Sequence, residues 1–470
     1  MMLSCYPQMN TVSFTAKSDL PLTRGLRRNN HQAGRSFTTA CLILAMVTAT
    51  CCFVALPVGG SVGMADDKRA GISGLSWETF DQLHCFIKPQ PGECRFWELD
   101  WELDVAAARA RAAREGKPLL ILCGHRGSPL GNCRWSVAAA RDPEVWNETF
   151  TRLIREKCVP VTIPDAGTAR KRTDSVGAFL NQAKIGLSAL TSNFCMDVAT
   201  VGGENLGRIP FNTPGVALKS LQSALDKFAS LPEEHRQIRI PEKDKSASEK
   251  CATLQPPPGG LLVRVYLRQL GRRADGTLRY TEPGDYTDKT PVRNRFLCRQ
   301  PFDDYMWVTE PEWKALIPAE ATSGVEVTVP ESFQLRLFRY HLNPRVGFTE
   351  GPCFIKATLK DGSLNGKVVL VSDEEIHLRL EGSAKLRLGD DLSYTPIILG
   401  KLVFDRSRRQ FKRFDLVALG DVIGHIQHGG GGFRPGAQPL GIAFELITRP
   451  RPTDYLPPGG AGDAAYLQPR

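Results

Sequence analysis

Two cysteines lie close together in the segment LLILCGHRGSPLGNCRW, residues 119–135. Cys123 ends an apolar run, and Cys133 follows after nine intervening residues, directly before a segment with helical character. A thiol at the start of a helix ionises readily, because free amides and the helix dipole stabilise the thiolate. The pair could therefore carry out thiol–disulfide exchange, with Cys133 as the nucleophile and Cys123 as its partner.

Three other interpretations of this pair stay open. Cys123 and Cys133 could form a disulfide that closes a short loop and stabilises the domain by about 3 kcal/mol. Cys123 could instead be a buried thiol at the end of a strand, with Cys133 unpaired. Together with His125 the two cysteines offer three ligands for a metal ion, but the spacing is unlike that of zinc ribbons. The sequence favours a structural role for this cysteine pair over a catalytic one, and it predicts no cofactor and no metal site.

A second pair of cysteines flanks a short turn. The chain contains thirteen cysteines, nine of them after residue 65, so at least one thiol has no partner within the chain. In HCFIKPQPGEC, residues 84–94, the Pro-rich and Gly-containing middle predicts a turn between Cys85 and Cys94. We expect a local, structural disulfide there.

Other residue types that often act in catalysis are scattered along the chain. His341 and His377 belong to segments with no catalytic pattern, and His425 and His428 lie beside a Gly-rich loop that is typical of a solvated surface. The sequence has no Gly-x-Ser-x-Gly motif, no phosphate-binding P-loop and no zincin motif. These observations predict no particular enzyme class.

The first 65 residues have the composition of a targeting segment. A basic region ending at Arg35 precedes the uncharged apolar stretch 36–58, and Gly63 and Ala65 provide the small side chains of a signal-peptidase site before Asp66. We expect a cleaved signal peptide, with an uncleaved membrane anchor as the alternative. Both place the remaining chain outside the cytoplasm, in the periplasm or at the cell surface, where disulfides persist.

The net charge of +10 does not indicate a nucleic-acid partner. Residues 66–470 contain 55 basic and 49 acidic side chains, and the basic ones are scattered and accompanied by no known nucleic-acid-binding motif. We therefore expect no binding to nucleic acid. Contact with a membrane is expected only through an uncleaved N-terminal segment.

Composition and periodicity divide the rest of the chain into five parts. They are a lead-in segment (66–96), a stretch of alternating helix and strand patterns (97–232), a polar Pro-rich linker (233–260), a strand-rich stretch (261–450) and a flexible tail (451–470). The expected architecture is an α/β domain followed by a mainly-β domain, sandwich or barrel-like.

The order of elements in residues 97–232 resembles that of a thioredoxin-like domain. The resemblance lies in the Ala-rich helix before GKPLLIL, the loop ending in Cys133, the segment DPEVWNETF, the strand VPVTI and the terminal hairpin and helix. It implies that Cys133 occupies the active-site position at a helix start. The family's Cys-x-x-Cys motif has no counterpart here, and GLSALTSNF, residues 186–194, lacks the family's cis-proline.

Motifs along most of the chain after residue 65 also resemble a family of secreted two-domain proteins of planctomycete bacteria that has no established activity. They include IKPQPGE, DYMWVTEPEWKALIP, LEGSAKL, RFDLVALGD and RPGAQPLGIAFEL. We expect an exported cell-envelope protein with a non-catalytic binding or structural role toward an unidentified protein or polymer. The alternative is a thiol–disulfide oxidoreductase or redox sensor that acts through Cys133.

Overall fold

The computed structural model describes the chain in ten stretches. They are residues 71–123, 145–163, 170–185, 195–210, 214–236, 255–287, 301–344, 357–389, 392–424 and 434–469. The predicted signal segment, His125, Cys133 and residues 237–254 of the predicted linker lie outside them. Within these stretches, no helix has the length and apolar character needed to cross a membrane.

The N-terminal half contains a small α/β region preceded by a separate helix. In chain order the elements are α1 (Phe80–Ile87), α2 (Val105–Glu115), β1 (Leu119–Cys123), α3 (Glu148–Lys157), β2 (Val159–Ile163), α4 (Ser175–Gln182), β3 (Cys195–Ala199), β4 (Asn205–Arg208), α5 (Pro214–Ser230) and α6 (Glu233–Arg236).

Local sequence signals set the ends of the first α/β helices. The Asp104 carboxylate accepts hydrogen bonds from the amides of Ala106 and Ala107, and Gly116 ends α2 with a positive φ of 63°. The Asn147 side chain caps α3 by accepting from the Phe150 amide.

The α/β region is built on a four-stranded mixed sheet of order β2-β1-β3-β4. Strands β1 and β2 are parallel, whereas β3 runs antiparallel to β1 and to β4. Alternate residues of β1 enter two different cores: Leu120 and Leu122 pack with α3 and α5, and Leu119 and Ile121 pack with α2 and α4. The sheet is therefore covered by helices on both faces.

The C-terminal half is a single antiparallel sheet with two short helices. Its elements are β5 (Leu261–Arg272), β6 (Leu278–Tyr280), β7 (Phe302–Val308), α7 (Glu310–Ala315), β8 (Glu326–Val327), α8 (Glu331–Arg336), a π-helical turn (Leu337–His341), β9 (Thr358–Val371), β10 (Glu375–Leu388), β11 (Leu392–Asp405), β12 (Gln410–Gly424) and β13 (Gln438–Leu446).

The strand order is β6-β5-β13-β12-β11-β10-β9-β8, with β7 also paired to β5. The described strands thus form one nine-stranded sheet instead of the two separate sheets of a sandwich. One hydrophobic core collects side chains from β5, from β7 to β13 and from α7, α8 and the π-helical turn. The predicted mainly-β character of this half is confirmed.

The opposite face of the large sheet is covered by α1, which the sequence predicted to belong to a separate lead-in segment. Phe80, Leu83, Phe86 and Ile87 pack against residues of β11, β12 and β13. Ile87 approaches β13 so closely that a Cβ added at Gly441 would lie 2.6 Å from its Cδ1 atom. Residues 71–87 therefore belong structurally to the C-terminal sheet, although they precede the α/β region in the chain.

The C-terminal segment is folded against the β region, which corrects the prediction of a flexible tail over residues 451–470. Two 3-10 turns, Pro452–Tyr455 and Gly459–Gly462, follow β13. Tyr466 is only 1% exposed and packs against Trp307 and Tyr340. The sequence missed this because Pro- and Gly-rich segments commonly form loose ends, and the partners that order this one are distant in the chain.

Candidate functional site

Strand β1 ends at Cys123, the first of the two predicted redox cysteines. In the sheet register Cys123 lies opposite Ile163 of β2 on one side and opposite Cys195 of β3 on the other. Strand alternation places position 123 on the same face as Ile121, which packs with α2 and α4. The sequence-derived interpretations did not include Cys195 as a neighbour.

The remaining members of the predicted site lie outside the described residues. Cys133 and His125 belong to residues 124–144, and the segment 186–194 without proline precedes β3. The dithiol, disulfide and metal interpretations of Cys123 and Cys133 therefore stay predictions. His425 and His428 are likewise outside the part of the chain that the structure describes.

The structure does not contain the expected disulfide between Cys85 and Cys94. Helix α1 extends to Ile87 and presents Cys85 as an exposed free thiol. Cys94 is buried and itself adopts a left-handed backbone conformation, and its Sγ atom lies 3.8 Å from the carbonyl oxygen of Pro301. The two sulfurs differ in environment because the chain is helical at Cys85, where the sequence predicted irregular structure.

Cys158 is a third cysteine in the described part of the α/β region. It follows α3 as a fully buried free thiol, and burial raises its pKa to about 12. Since the thiolate is the reactive form, this residue is inert at neutral pH. Its role is to fill the core beneath α3.

A buried ion-pair cluster around Arg264 of β5 links distant segments. The guanidinium donates to Asp303 at 2.7 Å and to Asp454 at 3.1 Å, and it lies 3.9 Å from the ring centre of Trp97. Burial alone would lower the pKa of Arg264, but the facing Tyr305 and the two carboxylates hold it above its usual value. The cluster joins β5, β7, the C-terminal segment and the N-terminal approach to the α/β region.

A second buried cluster surrounds Arg336 of α8. The fully buried guanidinium makes two hydrogen bonds of 2.6 Å to the Glu312 carboxylate and a further one of 2.9 Å to the carbonyl oxygen of Tyr466. Next to it, His341 is within 2.8 Å of the Tyr466 hydroxyl. Glu312 also accepts from the Thr309 amide at 2.9 Å, as in a capping box at the start of α7.

These two clusters are the charged centres that sequence reasoning missed. Arg264 interrupts the apolar run LLVRVYL, and Asp303 and Asp304 stand next to each other in β7. A charge within an otherwise buried strand signals a partner, because unpaired buried charges are costly. The sequence could have indicated that these charged residues are paired, but it could not have identified their partners.

A cleft lies beside Glu312. Its volume is about 510 Å³, and it is lined by Thr309, Pro311, Glu312, Ser332, Leu467, Gln468 and Pro469. The Glu312 oxygens already accept from Arg336, Ser332 and the Thr309 amide. The Glu312 carboxylate therefore has a structural role.

The described residues offer no metal centre. Within the stretches that the structure covers, no three or more His, Cys, Asp or Glu side chains are grouped so that they could hold an ion. His377 lies within 2.7 Å of Glu375 at the surface of the sheet, and His84 lies 2.9 Å from the carbonyl oxygen of Phe444. The buried histidines His84 and His341 thus help to hold α1 against the large sheet and the C-terminal segment against the π-helical turn, respectively.

Comparison with known proteins gives no relative. No family model matches this chain, and neither a curated protein nor a solved structure is significantly similar to it.

Proposed function

We propose that this chain is an exported cell-envelope protein that acts as a non-catalytic binding or structural module. Its α/β region is proposed to be a thioredoxin-like domain that has lost ordinary dithiol chemistry. The proposal includes membership in the secreted two-domain family that its motifs resemble. Its partner is a protein or a polymer of the envelope.

Strand order and direction support the thioredoxin-like assignment of the α/β region. The sheet has the order β2-β1-β3-β4, with a parallel pair followed by an antiparallel hairpin, and helices cover both faces. In such a domain the reactive thiol follows the strand that corresponds to β1. Cys123 lies at the end of that strand, but no Cys-x-x-Cys follows it.

The observation that carries the non-catalytic proposal is the Arg264 cluster. Arg264, Asp303 and Asp454 are each less than 10% exposed and bind one another, and Trp97 covers the guanidinium. Arg451 adds a hydrogen bond of 2.5 Å to the Trp97 carbonyl oxygen. Buried charges are often gathered where catalysis needs them. Here they link β5, β7, the C-terminal segment and the segment around Trp97, which suits a scaffold or a binding module.

Insulin reduction in the presence of dithiothreitol tests this proposal. The full exported chain and its Cys133→Ser variant are compared with a Cys-x-x-Cys thioredoxin as positive control. We expect both proteins to give the background rate of dithiothreitol alone. Turnover by the wild type that is lost in Cys133→Ser would overturn the proposal and establish a thiol–disulfide oxidoreductase.

A further inference from the structure

The register of the α/β sheet places two cysteines directly opposite each other. Five consecutive pairs connect β1 with β3 without a bulge, from Leu119 opposite Ala199 to Cys123 opposite Cys195. Residues in direct antiparallel register lie on the same face of a sheet. Positions 123 and 195 are therefore nearest cross-strand neighbours at the end of β1.

The backbone spacing of such a pair suits a disulfide. Directly opposite residues in antiparallel strands have Cα atoms about 4.5 to 5.5 Å apart. The Cα atoms of disulfide-bonded cysteines are about 4.4 to 6.8 Å apart. Cys133 lies ten positions after Cys123 in the sequence and outside the described residues.

The other described cysteines have different environments. Cys85 is an exposed free thiol on α1, and Cys158 is a free thiol in the core beneath α3. Cys94 is directed toward the Pro301 carbonyl oxygen. Among the described residues, Cys195 is thus the cysteine whose backbone position matches that of Cys123.

We propose that Cys123 and Cys195 form a reversible cross-strand disulfide that fastens the end of β1 to β3. A small-molecule disulfide such as oxidised glutathione serves as the oxidant. One thiolate attacks it, releasing the first glutathione thiolate and leaving a mixed disulfide; the second cysteine, as its thiolate, then displaces the other glutathione. In total the two cysteines lose two protons and two electrons, and the oxidant is reduced to two thiols.

This bond assigns Cys123 a partner other than Cys133. The oxidised pair withdraws Cys123 from any exchange with Cys133, at the point where the chain leaves β1 toward residue 124. It thereby removes the resolving thiol that a dithiol mechanism through Cys133 would use. The inference does not rest on the proposed function, because the bond is expected whether or not Cys133 turns over a substrate.

Peptide mapping of the full chain tests the pair. The protein is equilibrated with oxidised glutathione, alkylated in denaturant, digested and analysed by mass spectrometry, for the wild type, Cys133→Ser and Cys195→Ser. We expect a cross-linked peptide joining Cys123 to Cys195, lighter by two hydrogen atoms than the two reduced peptides, in the wild type and in Cys133→Ser. In Cys195→Ser this peptide is lost.

Two results would overturn the proposal. One is a cross-link between Cys123 and Cys133 in the wild type, and the other is complete alkylation of Cys123 in Cys133→Ser after oxidation. The wild-type map needs no substitution, so it decides the question even if a variant fails to fold. The insulin assay runs in dithiothreitol, which keeps the Cys123–Cys195 pair reduced, so its outcome is independent of this one.

Discussion

His341 should make the protein acid-labile. Its ring is fully buried at the end of the π-helical turn, where Nε2 lies 2.8 Å from the Tyr466 hydroxyl and Nδ1 has no hydrogen-bond partner. Burial, helped by the nearby Arg336 charge, lowers its pKa from 6.5 to about 3. The folded protein therefore keeps this histidine neutral at a pH where the unfolded chain protonates it.

The size and sign of the effect follow from this pKa difference. Because the folded-state pKa is lower than the unfolded one, the stability is present above pH 6.5 and is lost as the pH falls toward 3. Within this window, each unit by which the pH falls lowers the free energy of unfolding by about 1.4 kcal/mol. Between pH 7.5 and pH 5, His341 alone should lower the free energy of unfolding by about 2 kcal/mol.

Urea denaturation of wild type and His341→Gln at both pH values measures this contribution. Glutamine retains a group that can bind the Tyr466 hydroxyl but does not titrate. The partly buried Asp304, whose pKa burial raises to about 7, contributes the opposite slope, and it cancels when the two proteins are compared. The variant's loss of stability on acidification should be smaller than that of wild type by about 2 kcal/mol.

The matched control is His235→Gln, at an exposed histidine of α6. This variant should lose the same stability on acidification as wild type. If His341→Gln also responds to pH as wild type does, within about 0.5 kcal/mol, the assignment of a neutral buried His341 is refuted.

Three more perturbations and one processing event have expected outcomes. Arg264→Met leaves two buried carboxylates without their cation and should lower the free energy of unfolding by about 3 to 5 kcal/mol in urea denaturation. Tyr466→Ala removes a ring that is 1% exposed and should cost about 3 to 5 kcal/mol, measured in the same way. Gly441→Ala places a methyl group 2.6 Å from Ile87 and should destabilise the protein by about 1 to 3 kcal/mol, with faster amide exchange in α1. N-terminal sequencing of the exported protein should begin at Asp66.

Each of these expectations has a matched control. Arg155→Met removes an exposed ion pair and should change stability by less than about 0.5 kcal/mol. Tyr455→Ala, at a ring that is 43% exposed, and Gly462→Ala, where an added Cβ meets no atom within 4 Å, should likewise have small effects. Equal losses in a variant and its control would contradict the structural reason given for it. A mature protein that retains residues before Asp66 would favour the uncleaved anchor.

The parts of the fold that the sequence predicted correctly depend on local signals. The Ala-rich segment before GKPLLIL forms α2, and the apolar runs at 119–123 and 159–163 form the strands β1 and β2. Alternating apolar residues likewise indicated most strands of the large sheet. In these places the residues along one short segment are enough to indicate the element.

The parts that the sequence did not predict depend on residues far apart in the chain. His84 of α1 contacts the Phe444 carbonyl oxygen, 360 positions away, so no local pattern assigns this helix to the large sheet. Strand β7 contains Asp303 and Asp304, residue types that disfavour strands, but it pairs with β5 over seven residues, and Asp303 binds Arg264 of that strand. At the candidate site, the neighbour of Cys123 is set by the register between β1 and β3, which the sequence does not reveal.

The most direct test of a non-catalytic role is the pH dependence of alkylation at Cys133 in the folded protein, followed by mass spectrometry. An unactivated thiol titrates near its ordinary pKa of about 8.5, so iodoacetamide labelling of Cys133 should be slow at pH 6 and rise steeply toward pH 9. The exposed Cys85 provides an internal reference in the same digest. Labelling of Cys133 that is already fast and independent of pH between pH 5 and 7 would reveal an activated thiolate and contradict the proposed function.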